Sequence, residues 1–93
     1  MPKDKTPQTL TAPETIPLGS KVTVTGAGFE PWQTVLLDGG HAAPMVDADA
    51  NGGLVHEMGY VYTGPGNAAV RALILQRREW VEVARASFEV VEG

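Results

Sequence analysis

The residues best suited to chemistry form a short segment in which oxygen-bearing side chains alternate with small residues. Asp47, Asp49 and Asn51 are spaced two apart, and Gly52 follows. This spacing is typical of the start of a calcium-binding loop, in which alternate oxygens converge on the ion and the glycine permits a sharp turn. The twelfth position, which should supply a bidentate glutamate, is Met58. The sequence therefore favours a hairpin turn stabilised by Asp and Asn side chains over a calcium site.

The two histidines are the next candidates for a site. His41 and His56 could form a metal pair, or an acid–base pair with Asp38 or Glu57. They lie on separate segments without a defined ligand spacing, and a third ligand is not evident. We therefore predict that both are ordinary surface or strand-edge histidines.

The remaining catalytic patterns are incomplete. Gly26 and Gly28 lack the third glycine and the following helix of a dinucleotide-binding motif. Ser20 and Ser87 lie in no nucleophile motif. The chain has no cysteine, which excludes thiol catalysis, iron–sulfur clusters and disulfides. We expect a protein that is not an enzyme and that needs no cofactor.

The element around which the rest of the chain is organised is residues 21–32, a strand that runs into a glycine-containing corner. Val22 and Val24 alternate with polar residues, which is the pattern of a strand with one buried face. Gly26 and Gly28 then permit a sharp turn. Pro31 cannot donate to a sheet ladder, so the next strand begins after it. The segment therefore predicts a strand, a corner and a second strand.

The remaining pattern is one of short extended segments separated by turns. The predicted strands are residues 8–12, 21–27, 34–38, an edge strand within 41–47, 54–63, 68–76 and 80–91. Residues 68–86 contain many helix formers, so a helix there is the alternative. The β-branched residues and the alternating end of the chain favour a hairpin around residues 77–79. The fold class predicted is all-β, an antiparallel β-sandwich of about seven strands.

Length and charge limit the organisation and the partners. A chain of 93 residues forms one domain, expected over residues 8–93 after an extended arm at 1–7. The net charge of −4 argues against nucleic acid as a partner. No segment is apolar enough to span a membrane, and the start of the chain does not have the pattern of a secretory signal. We expect synthesis in the cytoplasm.

The order of these motifs resembles that of a known domain family. The matching residues are Gly19, the run 22–26, Gly28 to Pro31, Val35, the run 48–52, Pro65-Gly66 and Phe88 to Val90. Together they resemble bacterial and phage immunoglobulin-like domains of the IPT/TIG type. The resemblance implies an immunoglobulin-like sandwich that serves as a spacer or binding module, without a catalytic site. The chain differs in having Trp32 after Pro31, where the family usually has glycine.

The candidate partner surface lies mainly on the terminal hairpin. Its strands have apolar residues on both faces, and a cluster of leucine, tryptophan and arginine is typical of interface anchors. The residues singled out are Leu73, Leu75, Arg77, Arg78 and Trp80. The alternative is that a loop or the N-terminal arm covers the leucines. Trp32 is a further candidate, with the alternative that it caps the core.

These observations lead to two functional hypotheses. The first is a structural protein of a tailed-phage virion, a capsid decoration or accessory subunit, that binds capsid proteins or sister copies. Its location would be the virion, after synthesis in the host cytoplasm. The second is a binding module of a bacterial surface or secreted protein that recognises a protein or, through Trp32, Tyr60 and Tyr62, a carbohydrate.

Overall fold

The computed structural model describes residues 7–41 and 43–92, and in these ranges the chain is all-β, with eight strands and no helix. The strands are β1 (Thr9–Thr11), β2 (Thr15–Pro17), β3 (Thr23–Ala27), β4 (Thr34–Asp38), β5 (Met45–Asp47), β6 (Leu54–Glu57), β7 (Gly66–Gln76) and β8 (Glu79–Val91). They form a three-stranded sheet in the order β1-β3-β6 and a five-stranded sheet in the order β2-β8-β7-β4-β5. All neighbours pair antiparallel except β2 and β8, which are parallel.

A single hydrophobic core lies between the two sheets. The three-stranded sheet contributes Leu10, Val24 and Leu54, and the five-stranded sheet contributes Val35 and Phe88 among others. Along β3 the burial alternates residue by residue, as the sequence predicts for a half-buried strand. Gly26 belongs to this buried face because a Cβ there would lie 2.9 Å from the side chain of Leu54. The alternation thus fixes which face of each short strand packs inward.

The predicted strands agree with the structure at most positions. The bounds of β4 are those predicted, and the strand pairs of β7 and β8 exclude the alternative of a helix over residues 68–86. The prediction of a strand over residues 54–63 is wrong in its second half, because β6 ends at Glu57. Beyond it the chain is irregular and is held by backbone bonds from Met58 to Val22 and from Tyr62 to Ser20.

β2 is a strand that the sequence did not predict. It lies in the proline-bearing crossover and pairs with the last residues of β8, with Ile16 as its buried residue. Pro17 has no N–H to donate, which is tolerated because β2 is at the edge of its sheet. Only three residues separate Pro13 from Pro17, and an alternating pattern this short cannot be recognised as a strand from the sequence.

The hairpin of β7 and β8 is the longest element and carries a bulge. Ala72 pairs with Ala84 while Leu73 pairs with Glu82, so that Val83 is an extra residue on β8. A one-residue insertion exchanges the two faces of a strand for the residues beyond it. Trp80 lies beyond the bulge and therefore shares a face with its direct partner, Leu75. The bulge thereby places Trp80 on the face turned away from the core.

Within the described ranges, no helix is long and apolar enough to cross a membrane.

Candidate protein-binding surface

The acidic segment considered for calcium forms a tight turn between β5 and β6. Asp49 Oδ1 accepts hydrogen bonds from the backbone N–H groups of Asn51 at 2.8 Å and Gly53 at 2.9 Å. These bonds, from Gly53 first and Asn51 next, lower the pKa of the Asp49 carboxyl. Asp47 accepts a bond from the Thr34 hydroxyl at 2.8 Å. The expected turn stabilised by its own side chains is confirmed.

The glycine of this turn is required by its surroundings. Gly52 has a φ of 80°, and a Cβ there would lie 2.1 Å from the carbonyl oxygen of Phe29. The close approach lets the Phe29 N–H donate to the Gly52 carbonyl at 3.1 Å. The glycine that suggested a calcium loop therefore serves to dock this turn on the corner that follows β3. Among the described residues, no group of three or more His, Asp and Glu is placed to hold a metal ion.

The histidines have different neighbours. The ring of His41 stacks on Tyr60, with centroids 3.9 Å apart, and Tyr60 in turn packs edge-on against Tyr62. His56 lies on β6 opposite Val24. Asp38, considered as a partner for His41, instead accepts bonds from the Gly40 N–H and from Arg71, which lower the pKa of its carboxyl in that order. Neither histidine is thus placed in an acid–base pair with Asp38.

The side of the five-stranded sheet turned away from the core is here called the outer face. The pairings place Met45 of β5 opposite Leu36, Leu36 opposite Leu73, and Leu75 opposite Trp80. Met45 is 63% exposed, Leu75 55% and Trp80 37%. An apolar strip thus crosses the outer face near the turn between β7 and β8. The sequence motifs did not indicate Met45 and Leu36, although the alternation of Val35 and Leu37 with Leu36 predicts the face of Leu36.

One of the six candidate residues is less accessible than expected. Leu73 is only 9% exposed, although it lies on the outer face. It is flanked by Leu36 on β4 and Glu82 on β8, and these neighbours cover it. The expectation of an exposed Leu73 is therefore wrong, and Leu75 and Trp80 provide the accessible apolar surface of the hairpin.

A row of ion pairs crosses the outer face beside the apolar strip. Arg71 contacts Asp38 and also Glu82, the latter at 3.4 Å, and Arg85 contacts Glu82 at 3.1 Å. The bond to Asp38 is the main cause of the raised pKa of Arg71. The positive charges of Arg71 and Arg85, two of the four arginines in the chain, are therefore paired with carboxylates of the same sheet. Within the described residues, Arg77 and Arg78 form no ion pair within 4 Å.

Arg77 and Arg78 form the two-residue turn of the hairpin, here called the hairpin tip. Gln76 pairs with Glu79, and the two arginines between them have φ values of 51° and 72°. Two consecutive residues at positive φ define a turn whose twist matches that of the strands, and which normally has Asn-Gly or glycines. Arginine has no special tolerance for this conformation, so the tip is strained. Both arginines are exposed.

Trp32 lies in a second strained turn. The Gln33 N–H donates to the Glu30 carbonyl at 3.1 Å, which places Pro31 and Trp32 at the centre of the turn. Trp32 has a φ of 62° at a position that favours glycine, and its side chain is 68% exposed. The alternative that Trp32 caps the core is therefore wrong. Its exposure leaves a partner contact as a hypothesis for this residue.

The two strained turns lie at the same end of the molecule. β4 is antiparallel to β7, with Leu36 opposite Leu73, so the residues before Thr34 lie at the end of the sheet where β7 finishes. Trp32 precedes β4, and the hairpin tip follows β7. Trp32, Arg77 and Arg78 are also the three non-glycine residues at positive φ in the described part of the chain. Backbone strain of this kind is concentrated at functional sites.

The aromatic residues considered for carbohydrate stacking are less available than Trp32. Tyr62 is buried and packs edge-on against Phe88 at 5.3 Å. Burial, followed by the effect of Tyr60, raises the pKa of the Tyr62 phenol. Its hydroxyl has no hydrogen-bond partner among the described residues. Of the three aromatics, Trp32 alone offers most of its ring to solvent.

Comparison with known proteins finds no matching family model, no similar curated protein and no similar solved structure. The resemblance to IPT/TIG domains is therefore a hypothesis that depends on the sequence motifs alone.

Proposed function

We propose that this protein is a non-enzymatic interaction module with an immunoglobulin-like β-sandwich fold. The strand order supports the fold. In immunoglobulin domains, one sheet contains strands A, B and E and the other contains C, F and G. The order β1-β3-β6 parallels A-B-E, and β8-β7-β4 parallels G-F-C. This correspondence also agrees with the resemblance to IPT/TIG domains.

The observation that carries the interaction role is the combination of strain and exposure at one end of the molecule. The hairpin tip and Trp32 hold disfavoured backbone conformations while their side chains extend into solvent. Beside them, Leu75 and Trp80 form an exposed apolar pair. Tryptophan and arginine are the residue types most enriched among the energetically dominant residues of interfaces. Contact with a partner would bury the exposed apolar area and would explain why the strained turns are present at this end of the molecule.

The specific setting that we propose is the virion of a tailed phage, where the protein is a capsid decoration or accessory subunit. The proposal comes from the family resemblance, since such domains occur on virions. Leu75 and Trp80 would be buried against the shell lattice or against a sister copy, and Arg77 and Arg78 would pair with acidic groups there. Many copies on a lattice would add up weak contacts into stable decoration. A gene neighbourhood with capsid, portal and tail genes would support this setting.

The experiment adds purified protein to particles assembled without it and measures the bound fraction by co-sedimentation. The double variant Leu75→Asp with Trp80→Ala should reduce the affinity at least about tenfold, because central aromatic anchors dominate interface energies. Val55→Asp is the matched control, since Val55 is exposed on the other sheet. If the wild type does not bind particles, the virion proposal is wrong. If the double variant decorates as well as the control, the proposed surface is wrong.

Carbohydrate binding by a bacterial surface module is the second candidate, and the exposure of Trp32 favours it. A ring that is 68% exposed can stack on the apolar face of a sugar. Screening of the wild type and of Trp32→Ala against a glycan array separates the two candidates. Glycan binding that Trp32→Ala abolishes would support the second.

A further inference from the structure

We propose that two copies of this chain associate through their outer faces, antiparallel and related by a two-fold axis. In this dimer the hairpin tip of each copy lies against an acidic groove at the opposite end of its partner's outer face. The proposal rests on the interaction role above and names the partner as a second copy.

The groove lies where β2 begins beside β8. It is shallow and is lined by Glu14, Thr15, Asn67, Ala68, Ala69, Ser87, Phe88 and Glu89. Glu89 lies on the outer face because the neighbouring Val90 is buried in the core. Glu14 and Glu89 are both exposed, and within the described residues neither has a basic side chain within 4 Å. The groove is therefore a negatively charged depression.

The hairpin tip is complementary to this groove in charge. Arg77 and Arg78 are cations at the end of a projecting turn, without an ion-pair partner in the described part of the chain. Leu75 and Trp80 follow immediately on the outer face. Complementary charges favour specific association, and apolar residues beside them supply the core of an interface. The outer face of one chain therefore has both the basic hairpin tip and the acidic groove that can bind it.

The strand register permits both contacts to form at once. If the two-fold axis passes near Ala72, antiparallel packing places the Leu75–Trp80 pair over the partner's Ala69–Ser87 pair. The same operation places Arg77 over the partner's Asn67–Glu89 pair. In each copy, Arg77 belongs to the contact made by the tip and Ala69 to the contact made by the groove. These residues are eight positions apart, about 26 Å at about 3.3 Å per residue, so the tip contact and the groove contact of one copy are well separated. Two tips then occupy two grooves across one interface.

The centre of this interface is also matched in charge. Two-fold packing about Ala72 places the Leu73–Glu82 pair over the partner's Arg71–Arg85 pair. Glu82 of each copy therefore faces the partner's Arg85, while Arg71 faces the partner's Leu73. A two-fold interface requires a self-complementary surface of this kind. A head-to-tail interface would contain only one tip–groove contact, whereas the closed dimer contains two, which is why the closed dimer is the arrangement proposed.

A charge-exchange experiment tests the proposal. The tip variant carries Arg77→Glu and Arg78→Glu, and the groove variant carries Glu14→Lys and Glu89→Lys. Each variant alone should have a dimer dissociation constant raised at least about tenfold, since like charges then face each other in both contacts. An equimolar mixture should dimerise again, because every tip then meets a groove of opposite charge. Sedimentation velocity at low salt measures the dimerisation of the tip variant, the groove variant and their mixture. Far-UV circular dichroism checks that both variants are folded.

Glu57→Lys is the matched control, because it reverses an exposed charge on the other sheet and should leave the dimer unchanged. A wild type that stays monomeric at about 1 mM chain, near the weakest measurable affinities, overturns the proposal. A dimer that survives both variants, or a mixture that stays monomeric, overturns it too. Particle binding reports separately on the proposed function. A monomer that decorates particles refutes only the dimer, and a dimer that does not bind particles refutes only the virion role.

Discussion

Replacing Arg77 with Asn and Arg78 with Gly should stabilise the fold, because this change removes backbone strain without removing a packing contact. The two arginines occupy the centre of a two-residue hairpin turn at φ values of 51° and 72°. Asn-Gly is the sequence that this turn type prefers. Both side chains are exposed and form no ion pair within the described residues. The substitution therefore changes the turn and little else in the monomer.

The magnitude follows from the conformational preferences. A left-handed conformation disfavours an ordinary residue by about 1–2 kcal/mol, so the two positions together store about 2–4 kcal/mol. Glycine offsets about 0.5–1 kcal/mol of the gain, because it has more freedom to lose on folding. The expected net increase in the free energy of unfolding is about 1–3 kcal/mol. For a domain of this size, each kcal/mol raises the Tm by about 4–8 °C.

Urea denaturation followed by tryptophan fluorescence measures the change, at a protein concentration low enough to keep the chain monomeric. The control is Arg77→Gln with Arg78→Gln, which removes the same charges but keeps the disfavoured conformation. It should leave the stability nearly unchanged. If the Asn-Gly variant is no more stable than this control, the tip is not strained, and the inference that strain marks a functional site fails.

The remaining predictions concern a buried hydroxyl and an acidic turn. Tyr62→Phe should raise the free energy of unfolding by about 1 kcal/mol in urea titrations, because it removes a buried hydroxyl without a partner; a loss of stability would mean that the hydroxyl is bonded in solution. The lowered pKa of Asp49 means that its ionised form stabilises the fold above the pKa of the unfolded chain, near pH 4, and that this stability is lost as the pH falls through the folded pKa. Asp49→Asn keeps an acceptor and should flatten the decline in stability as the pH falls below about 4, and an unchanged decline would show that Asp49 does not contribute to it.

Local patterns were sufficient for the elements with regular alternation. The residues buried at every second position are Val22, Val24 and Gly26 in and before β3 and Val35 and Leu37 in β4, and both strands were predicted with nearly the observed bounds. The hairpin of β7 and β8 was recognised against its helix-forming composition because β-branched residues recur along it. The turn at Asp49 was also predicted, since an Asp side chain that bonds to its own backbone is a local interaction.

Contacts between distant residues decided the points on which the sequence failed. Leu73 was expected to be exposed because its strand alternates, but the neighbours that cover it, Leu36 and Glu82, come from two other strands. Trp32, at a corner, was considered both as a partner contact and as a cap on the core, and the turn after Pro31 directs it to solvent. Neither result is contained in the residues adjacent in sequence.

By itself, the sequence determined that the chain is all-β and where most strands begin, because alternation and turn residues act over a few positions. It also supplied the list of Trp32, Leu75, Arg77, Arg78 and Trp80. Only the tertiary structure decided that these residues gather at one end of the molecule. It did so through strand pairing and through the bulge at Val83, which sets the face on which Trp80 lies. Pairing joins residues far apart in the chain, so one inserted residue can change the composition of a surface without changing any local pattern.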